Sequence, residues 1–359
     1  MDYNVIRRKT KEIKIGDIRI GGSNKIAIQS MTNTDTSDSI TTIEQIKALV
    51  SAGCDIVRIT VPDIESAETI VKIKESGIAV PIVADIHFDH KIALRCAELG
   101  VDKIRINPGN IGSDENVKAV CDACNKKNIP IRIGVNSGSL EKGILSKYGA
   151  PTAEALVESA MYHISLLEKY DFNNIVVSIK ASDVENMINA NRLLADRIQY
   201  PIHLGVTEAG GYERGLIKSS IGIGSLLNDG IGDTIRVSLT DDPVKEIKSA
   251  KNILGALDIK GQSGLNIVSC PTCGRTKIDL ISLINDFEKA VELEGLMDKP
   301  LKVALMGCVV NGPGEAREAD IGIAGGKGEA LLFSRGEIIR KIPENEIIST
   351  LINAIKEIK

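Results

Sequence analysis

Apolar and polar positions follow one repeated phrase from residue 25 to about residue 257. A short apolar, β-branched run ends in polar residues, and an amphipathic helical stretch follows. The runs are KIAIQSMT (25–32), DIVRITVP (55–62), PIVADIH (81–87), DKIRINPG (102–109), PIRIGVN (130–136), NIVVSIKA (174–181), PIHLGVTEA (201–209) and DTIRVSLT (233–240). Near-continuous Val/Ile runs suit strands buried on both faces of a parallel sheet. Eight such strands alternating with eight helices predict a closed (β/α)8 TIM-type barrel, with a doubly wound open sheet as the rival. Gly53, Gly77 and Gly100 read as helix C-caps. The segment before residue 25 predicts a hairpin at the bottom of the barrel.

The pattern changes after about residue 260. KGQSGLNIVSCPTCGRT leads through a Gly/Ser/Pro-rich passage to a strand and a turn. A helix (IDLISLINDFEKAVELEG), a strand (LKVALMG), a loop (CVVNGPGEARE), a strand (ADIGIAGG), an apolar run (EALLFSRGEII) and a last helix follow. The expected division is a substrate-binding barrel over residues 1–260 and a small α+β domain over 261–359, a plausible domain size.

Composition narrows the function classes. A net charge of −4 argues against a nucleic-acid partner, whose phosphates demand a basic face. No run approaches the roughly 18 apolar residues of a membrane helix. MDYNVIRRKTKEIKIGD has no apolar stretch after its charges, so no signal peptide is expected and the cytoplasm is the expected location. Seven cysteines in that reducing setting read as buried thiols, metal ligands or redox groups.

Cys270 and Cys273 form a C-x-x-C on a turn after a strand, and Cys308 ends another predicted strand. A structural zinc site wants four N/S ligands, and this domain has no fourth cysteine and no histidine, since His87, His90, His163 and His203 all lie in the barrel. A [4Fe–4S] cluster fits three cysteines and leaves one iron without thiolate. A catalytic zinc with three ligands and inert thiols remain open. Cys121 and Cys124 share one face of a helical stretch, and with Cys54 and Cys96 they read as structural.

Barrel active sites lie at the C-terminal strand ends. Gln29, Ser30, Arg58, Asp85, His87, Arg105, Asn107, Asn110, Arg132, Asn136, Ser178, Lys180, His203, Glu208, Arg236 and Ser238 fall there. V-R-I-T, I-R-I-N, I-R-I-G and I-R-V-S each put an Arg between β-branched residues, where an unpaired guanidinium is costly. Arg58, Arg105, Arg132 and Arg236, joined by Lys180, suit a phosphate or diphosphate ligand. The alternative is structural pairing with Asp55, Asp102 or Asp233. Glu208, in the loop TEAGGYERG, is a candidate proton donor.

IQSMTNTDT, ADIHFD, KIRINPGNIG, IRIGVNSGSLE, GVTEAGG, GIGDTIRVSLT, SCPTCGRT and MGCVVNGPGEA closely resemble the bacterial 4-hydroxy-3-methylbut-2-enyl diphosphate synthase family (IspG, also called GcpE), in its short form. The resemblance covers nearly the whole chain, in order and spacing. It implies two-electron reductive opening of 2-C-methyl-D-erythritol 2,4-cyclodiphosphate with loss of water, in the non-mevalonate isoprenoid pathway. It implies one [4Fe–4S] cluster per subunit on Cys270, Cys273, Cys308 and, through the N-G-P-G-E phrase, Glu315. It implies diphosphate contacts from Arg58, Arg105, Arg132, Lys180 and Arg236, with Asn107, Asn136 and Ser238 nearby, and Glu208 as proton donor. Flavodoxin or ferredoxin would supply electrons. A homodimer would bring the cluster domain of one subunit to the barrel mouth of the other. Two rivals stand beside this reading. One is a non-redox phosphate-binding barrel with a zinc-bearing tail. The other is a protein that senses iron or redox state.

Overall fold

The eight apolar runs form eight parallel strands, as the pattern predicts. The computed structural model describes residues 6–259, 262, 264–309, 314 and 316–358. It divides into two compact units, Met1–Ile253 and Leu254–Lys359.

In the first unit, β1 (Ile13–Ile15) and β2 (Ile18–Ile20) pair as an antiparallel hairpin. The barrel strands are β3 (Ala27–Met31), β4 (Ile56–Thr60), β5 (Ile82–Asp85), β6 (Lys103–Ile106), β7 (Ile131–Asn136), β8 (Ile175–Lys180), β9 (His203–Leu204) and β10 (Thr234–Ile235). Their order is β8-β7-β6-β5-β4-β3-β10-β9. A parallel bridge from Val177 to Ile202 closes the ring between β8 and the start of β9. The last two strands are much shorter than their apolar runs. At Gly205, just past β9, an added Cβ would stand 2.6 Å from the Arg236 carbonyl oxygen, so the backbones crowd there.

The surrounding helices are α1 (Ser39–Ser51), α2 (Ile64–Glu75), α3 (His90–Glu98), α4 (Asp114–Lys127), α5 (Lys142–Tyr148), α6 (Ala153–Glu168), α7 (Val184–Ala195), α8 (Tyr212–Asn228) and α9 (Pro243–Ala256). Strict alternation predicts eight; the short α5 is an extra helix between β7 and α6. Aspartates Asp38, Asp63, Asp89 and Asp183 cap α1, α2, α3 and α7 by accepting backbone N–H bonds. Gly53, Gly77 and Gly100 follow α1, α2 and α3 with φ of +95°, +76° and +81°, the left-handed conformation expected of a terminating glycine.

The hairpin lies where the sequence reading puts it. Ile13, Ile15 and Ile20 pack with Ala27, Ile56, Val83 and Val176, which sit at the starts of β3, β4, β5 and β8. This apolar plug seals the bottom of the barrel and leaves its polar chemistry to the other end.

In the second unit, β11 (Asn266–Ser269), β12 (Lys302–Met306) and β13 (Ile321–Gly325) run parallel, and β14 (Glu329–Ser334) and β15 (Glu337–Pro343) add on antiparallel. Helix α10 (Leu280–Leu293) and a last helix (Ile347–Glu357) bury Phe287, Val291, Leu351 and Ile355 with the sheet residues Val303, Leu305 and Ile323. The run EALLFSRGEII resolves into a hairpin. Arg335 and Gly336 take φ of +49° and +83°, matching a tight turn with two left-handed residues. Among the described residues no helix is long and apolar enough to cross a membrane.

Ile15→Ala removes a fully buried plug residue. It should cost roughly 2–5 kcal/mol of barrel stability, read from the midpoint of a denaturant titration.

Candidate active site

Three strands share a longer phrase than the sequence reading uses: an Asp, two intervening residues, then an Arg. Asp55, Asp102 and Asp233 stand just before β4, β6 and β10. Each accepts a backbone N–H from the neighbouring strand, from Ile28, Ile82 and Ile202, at 2.8 Å in every case. Each also takes a surface or edge cation: Lys25, Lys74 and Arg7. These carboxylates pin the strands' starts and do not pair with Arg58, Arg105 or Arg236. The structural ion pairs weighed from sequence therefore have the wrong partners.

The arginines converge at the other end. Arg58, Arg105, Arg132, Lys180 and Arg236 line one cavity of about 140 Å³. Asn136, Ser178, Ser238, Thr207 and His87 complete its wall. The true counter-ions are Asp85 and Glu246. Asp85 bridges Arg58 at 3.5 Å and Arg105 at 3.0 Å. Glu246, on α9, holds Arg236 at 3.1 and 3.2 Å, the forked geometry a guanidinium favours. It also accepts from Ser30 Oγ and the Leu239 N–H, which turns Ser30 toward the helix.

Among the described residues Arg132 has no such partner. It is 1% exposed, and its Nε and Nη1 find no hydrogen bond among the described residues. An unpaired buried guanidinium is among the costliest groups a fold can keep. Burial, and then the neighbouring Arg58 and Arg105, push its pKa well down. Lys180 is lowered in the same way by burial, Arg58 and Arg236. Burial would raise the Asp85 carboxyl, but Arg58 and Arg105 outweigh it and hold it at about 2. Two glycines make room for the cations. An added Cβ at Gly134 would stand 2.3 Å from Arg105 Nε, and one at Gly205 would stand 2.7 Å from Lys180 Nζ. The arrangement is a cation-rich pocket that a polyanion would neutralise.

Not every predicted rim residue lines this cavity. Asn107 is buried at the base of the turn after β6, and its Oδ1 has no partner among the described residues. Glu208 is exposed in the loop beyond β9, with φ of +52°, a left-handed conformation that an L residue adopts at a cost. Asn110 is exposed. Gln29 and His203 lie deeper, in the barrel interior, where Gln29 Oε1 faces Lys103 at 3.5 Å and His203 Nδ1 meets Thr234 Oγ1 at 2.8 Å. Glu246 escaped the sequence reading, although it shares a helix face with Ala250 and Ile253. An acidic group on a buried stripe was the available signal.

In the second unit, Cys270 and Cys308 follow the adjacent parallel strands β11 and β12. The Gly307 N–H donates to Cys270 Sγ at 3.3 Å, so a backbone amide already fixes the direction of this sulfur. Cys273 is exposed, and hydrogen bonds from the Arg275 backbone and side chain lower its pKa. Three thiol donors with amide support suit a soft metal centre. Among the described residues no group of three His, Cys, Asp or Glu side chains is gathered for a metal. Glu315 lies outside the described residues. The barrel cysteines are of another kind. Burial pushes Cys54, Cys96 and Cys121 up to about 12 and Cys124 higher still, so they are packing groups.

The GcpE TIM-barrel domain matches residues 10–251, and the GcpE protein C-terminal domain matches residues 266–357. A 4-hydroxy-3-methylbut-2-en-1-yl diphosphate synthase (flavodoxin) of Clostridium acetobutylicum is 57% identical over 97% of this chain and 99% of its own length. Proteins of the same name from Ruminiclostridium cellulolyticum and Geobacter sulfurreducens are 56% and 54% identical. They cover 99% and 98% of this chain and 100% and 99% of their own lengths. A solved Plasmodium falciparum HPPK-DHPS structure is 14% identical with a TM-score of 0.50, covering 79% of this chain and 52% of that one; the likeness speaks for the fold alone.

Two outcomes follow from the charges. The folded Asp85 carboxyl sits below the roughly 3.9 of an unfolded chain, so its stabilisation is complete above about pH 4 and fades as pH falls toward 2. Asp85→Asn should cost about 3–5 kcal/mol at neutral pH. The gap from wild type should close in acid; a gap unchanged near pH 2 in denaturant melts would contradict the assignment. Iodoacetamide on metal-free, reduced protein should label Cys273 ahead of the four barrel cysteines, which should react only after unfolding. Peptide mass mapping over time reads the order.

Proposed function

The chain belongs to the GcpE family, and on that premise we propose that its barrel binds 2-C-methyl-D-erythritol 2,4-cyclodiphosphate for reductive ring opening to 4-hydroxy-3-methylbut-2-enyl diphosphate. The chain is the iron–sulfur oxidoreductase of that step in the non-mevalonate isoprenoid pathway. The observation that carries the site assignment is Arg132, fully buried in a cavity of five cations, with Nε and Nη1 finding no hydrogen bond among the described residues.

Charge balance explains why such a pocket suits this reaction. Two electrons and a proton enter, a C–O bond to the ring diphosphate breaks, and water leaves. The freed diphosphate carries one more negative charge than the cyclic one. Arg58, Arg105 and Arg236 are already held by Asp85 and Glu246, so they anchor the ligand with little reorganisation. Arg132 and Lys180, which have no carboxylate partner among the described residues, answer the charge that develops as the ring opens. Asn136 and Ser238 supply neutral hydrogen bonds at the cavity wall. Asn107 is a further binding residue, whose unpartnered Oδ1 would find its bond only with ligand in place. Glu208 is the proton donor; its strained backbone holds an exposed carboxyl on the loop after β9, where a mere surface residue would gain nothing from the conformation.

Cys270, Cys273, Cys308 and Glu315 would hold one [4Fe–4S] cluster per subunit. When bound, it supplies the electrons that flavodoxin, or a ferredoxin, delivers. The Gly307 N–H on Cys270 supports this ligand role. The working form is a homodimer in the cytoplasm, with residues 1–260 binding substrate and 261–359 carrying the cluster.

Anaerobically purified protein should be brown, with about four iron and four sulfide per chain. Cys270→Ser should lose the colour and the turnover together. Glu208→Gln should keep full iron and sulfide yet lose turnover by about 100-fold or more. A Glu208→Gln enzyme at full rate removes the proton-donor role, and a colourless, zinc-bearing wild type removes the reductive mechanism.

A further inference from the structure

His163 lies on α6, outside the ring of strands, and its side chain is fully buried. No step above uses it. Its two ring nitrogens face two different loops. The Gly109 N–H, in the turn Pro108–Asn110 after β6, donates to Nδ1 at 3.3 Å. Nε2 stands 2.5 Å from Glu141 Oε1, in the loop after β7, a close polar contact whose angle falls outside hydrogen-bond geometry, so the pair is held by proximity and charge and a small turn of either side chain would align it. Nδ1 is the acceptor toward Gly109, so Nε2 is the nitrogen that turns a hydrogen toward the carboxylate. Burial would raise the Glu141 carboxyl, but its contacts with His163 and the backbone hold it at about 2, so it stays an acceptor.

One imidazole thus ties together the loops that follow two adjacent barrel strands. The fit is tight on the glycine side: a Cβ at Gly109 would stand 2.7 Å from His163 Cε1. Asn107 lies two residues before Gly109, and Asn136 five before Glu141. Asn136 lines the cation-rich cavity, and Asn107 keeps a buried, unpartnered amide oxygen.

We propose that His163 is a positioning residue for diphosphate binding: with Gly109 and Glu141 it latches the β6 and β7 loops so that Asn107 and Asn136 present their amides to the ligand. The proposal rests on the diphosphate reading of the cavity. Ligand contacts of this kind serve substrate and transition state alike, so their loss raises KM and leaves kcat nearly unchanged. A side chain needed only for folding would lower the active fraction, and with it kcat, at constant KM.

The test is calorimetry with inorganic pyrophosphate on the anaerobic holoenzyme, beside steady-state kinetics. His163→Leu removes donor and acceptor; pyrophosphate affinity should fall, and KM rise, by about tenfold, roughly what one well-placed hydrogen bond is worth in binding. His163→Gln keeps an amide oxygen for Gly109 and an N–H for Glu141, and should recover to within about threefold of wild type. Gly109→Ala breaks the latch from the loop side without touching α6. It should mimic His163→Leu and add little to it in the double variant, because residues of one network do not act independently. It also decides the matter should His163→Leu fail to fold. Wild-type affinity and KM in His163→Leu or Gly109→Ala, or a His163→Gln variant as impaired as His163→Leu, would overturn the latch. Wild type that binds no pyrophosphate would overturn the diphosphate reading and the latch with it. Pyrophosphate bound at wild-type strength by every variant would leave that reading standing and remove only the latch.

Discussion

Asp85 between Arg58 and Arg105 is the interaction on which the barrel's chemistry depends. Guanidiniums inside a barrel repel one another and lose their hydration, and either cost alone could unfold a domain of ordinary stability. A single carboxylate bonded to two of them, and Glu246 forked onto a third, lowers that cost enough for the fold to form. The remainder is left on Arg132 and Lys180. The fold therefore stores electrostatic strain where an anion will relieve it, and ligand binding and stability are coupled through the same charges.

The two ends of the strands divide the labour. At the bottom, Asp55, Asp102 and Asp233 bond neighbouring backbones while the hairpin isoleucines close the floor. At the top, the arginines three residues further on face the cavity. The three-residue offset puts Asp and Arg on opposite faces of an extended chain, because successive side chains alternate. A phrase that reads as a nearby ion pair in one dimension thus separates its charges in three. Gly134 and Gly205 complete the arrangement by omitting a Cβ where Arg105 and Lys180 lie against the wall.

Much of this was legible beforehand. Eight β-branched runs predict eight parallel strands, and capping aspartates and glycines mark helix ends by local backbone chemistry. Cys121 and Cys124 read as packing thiols because helical spacing puts them on one buried face. The hairpin in EALLFSRGEII was harder, since its turn rests on Arg335 and Gly336 and carries no Asn-Gly or Asp-Gly signal. The extra helix α5 hides in a polar connection with no apolar period to announce it.

By itself the sequence determined the barrel and the mixed α+β module, the set of cations at the strand ends and the spacing of the thiols. All of these follow from local periodicity and short-range stereochemistry. Pairing was decided only by the tertiary structure. Asp85 is bound to two arginines, Glu246 reaches Arg236 from a helix, and His163 joins two loops. Each of these contacts joins residues 10 to 54 positions apart in the chain. Coulomb and hydrogen-bond energies depend on distance in space, and a chain that closes into a ring brings together residues whose separation in sequence says nothing of their neighbours.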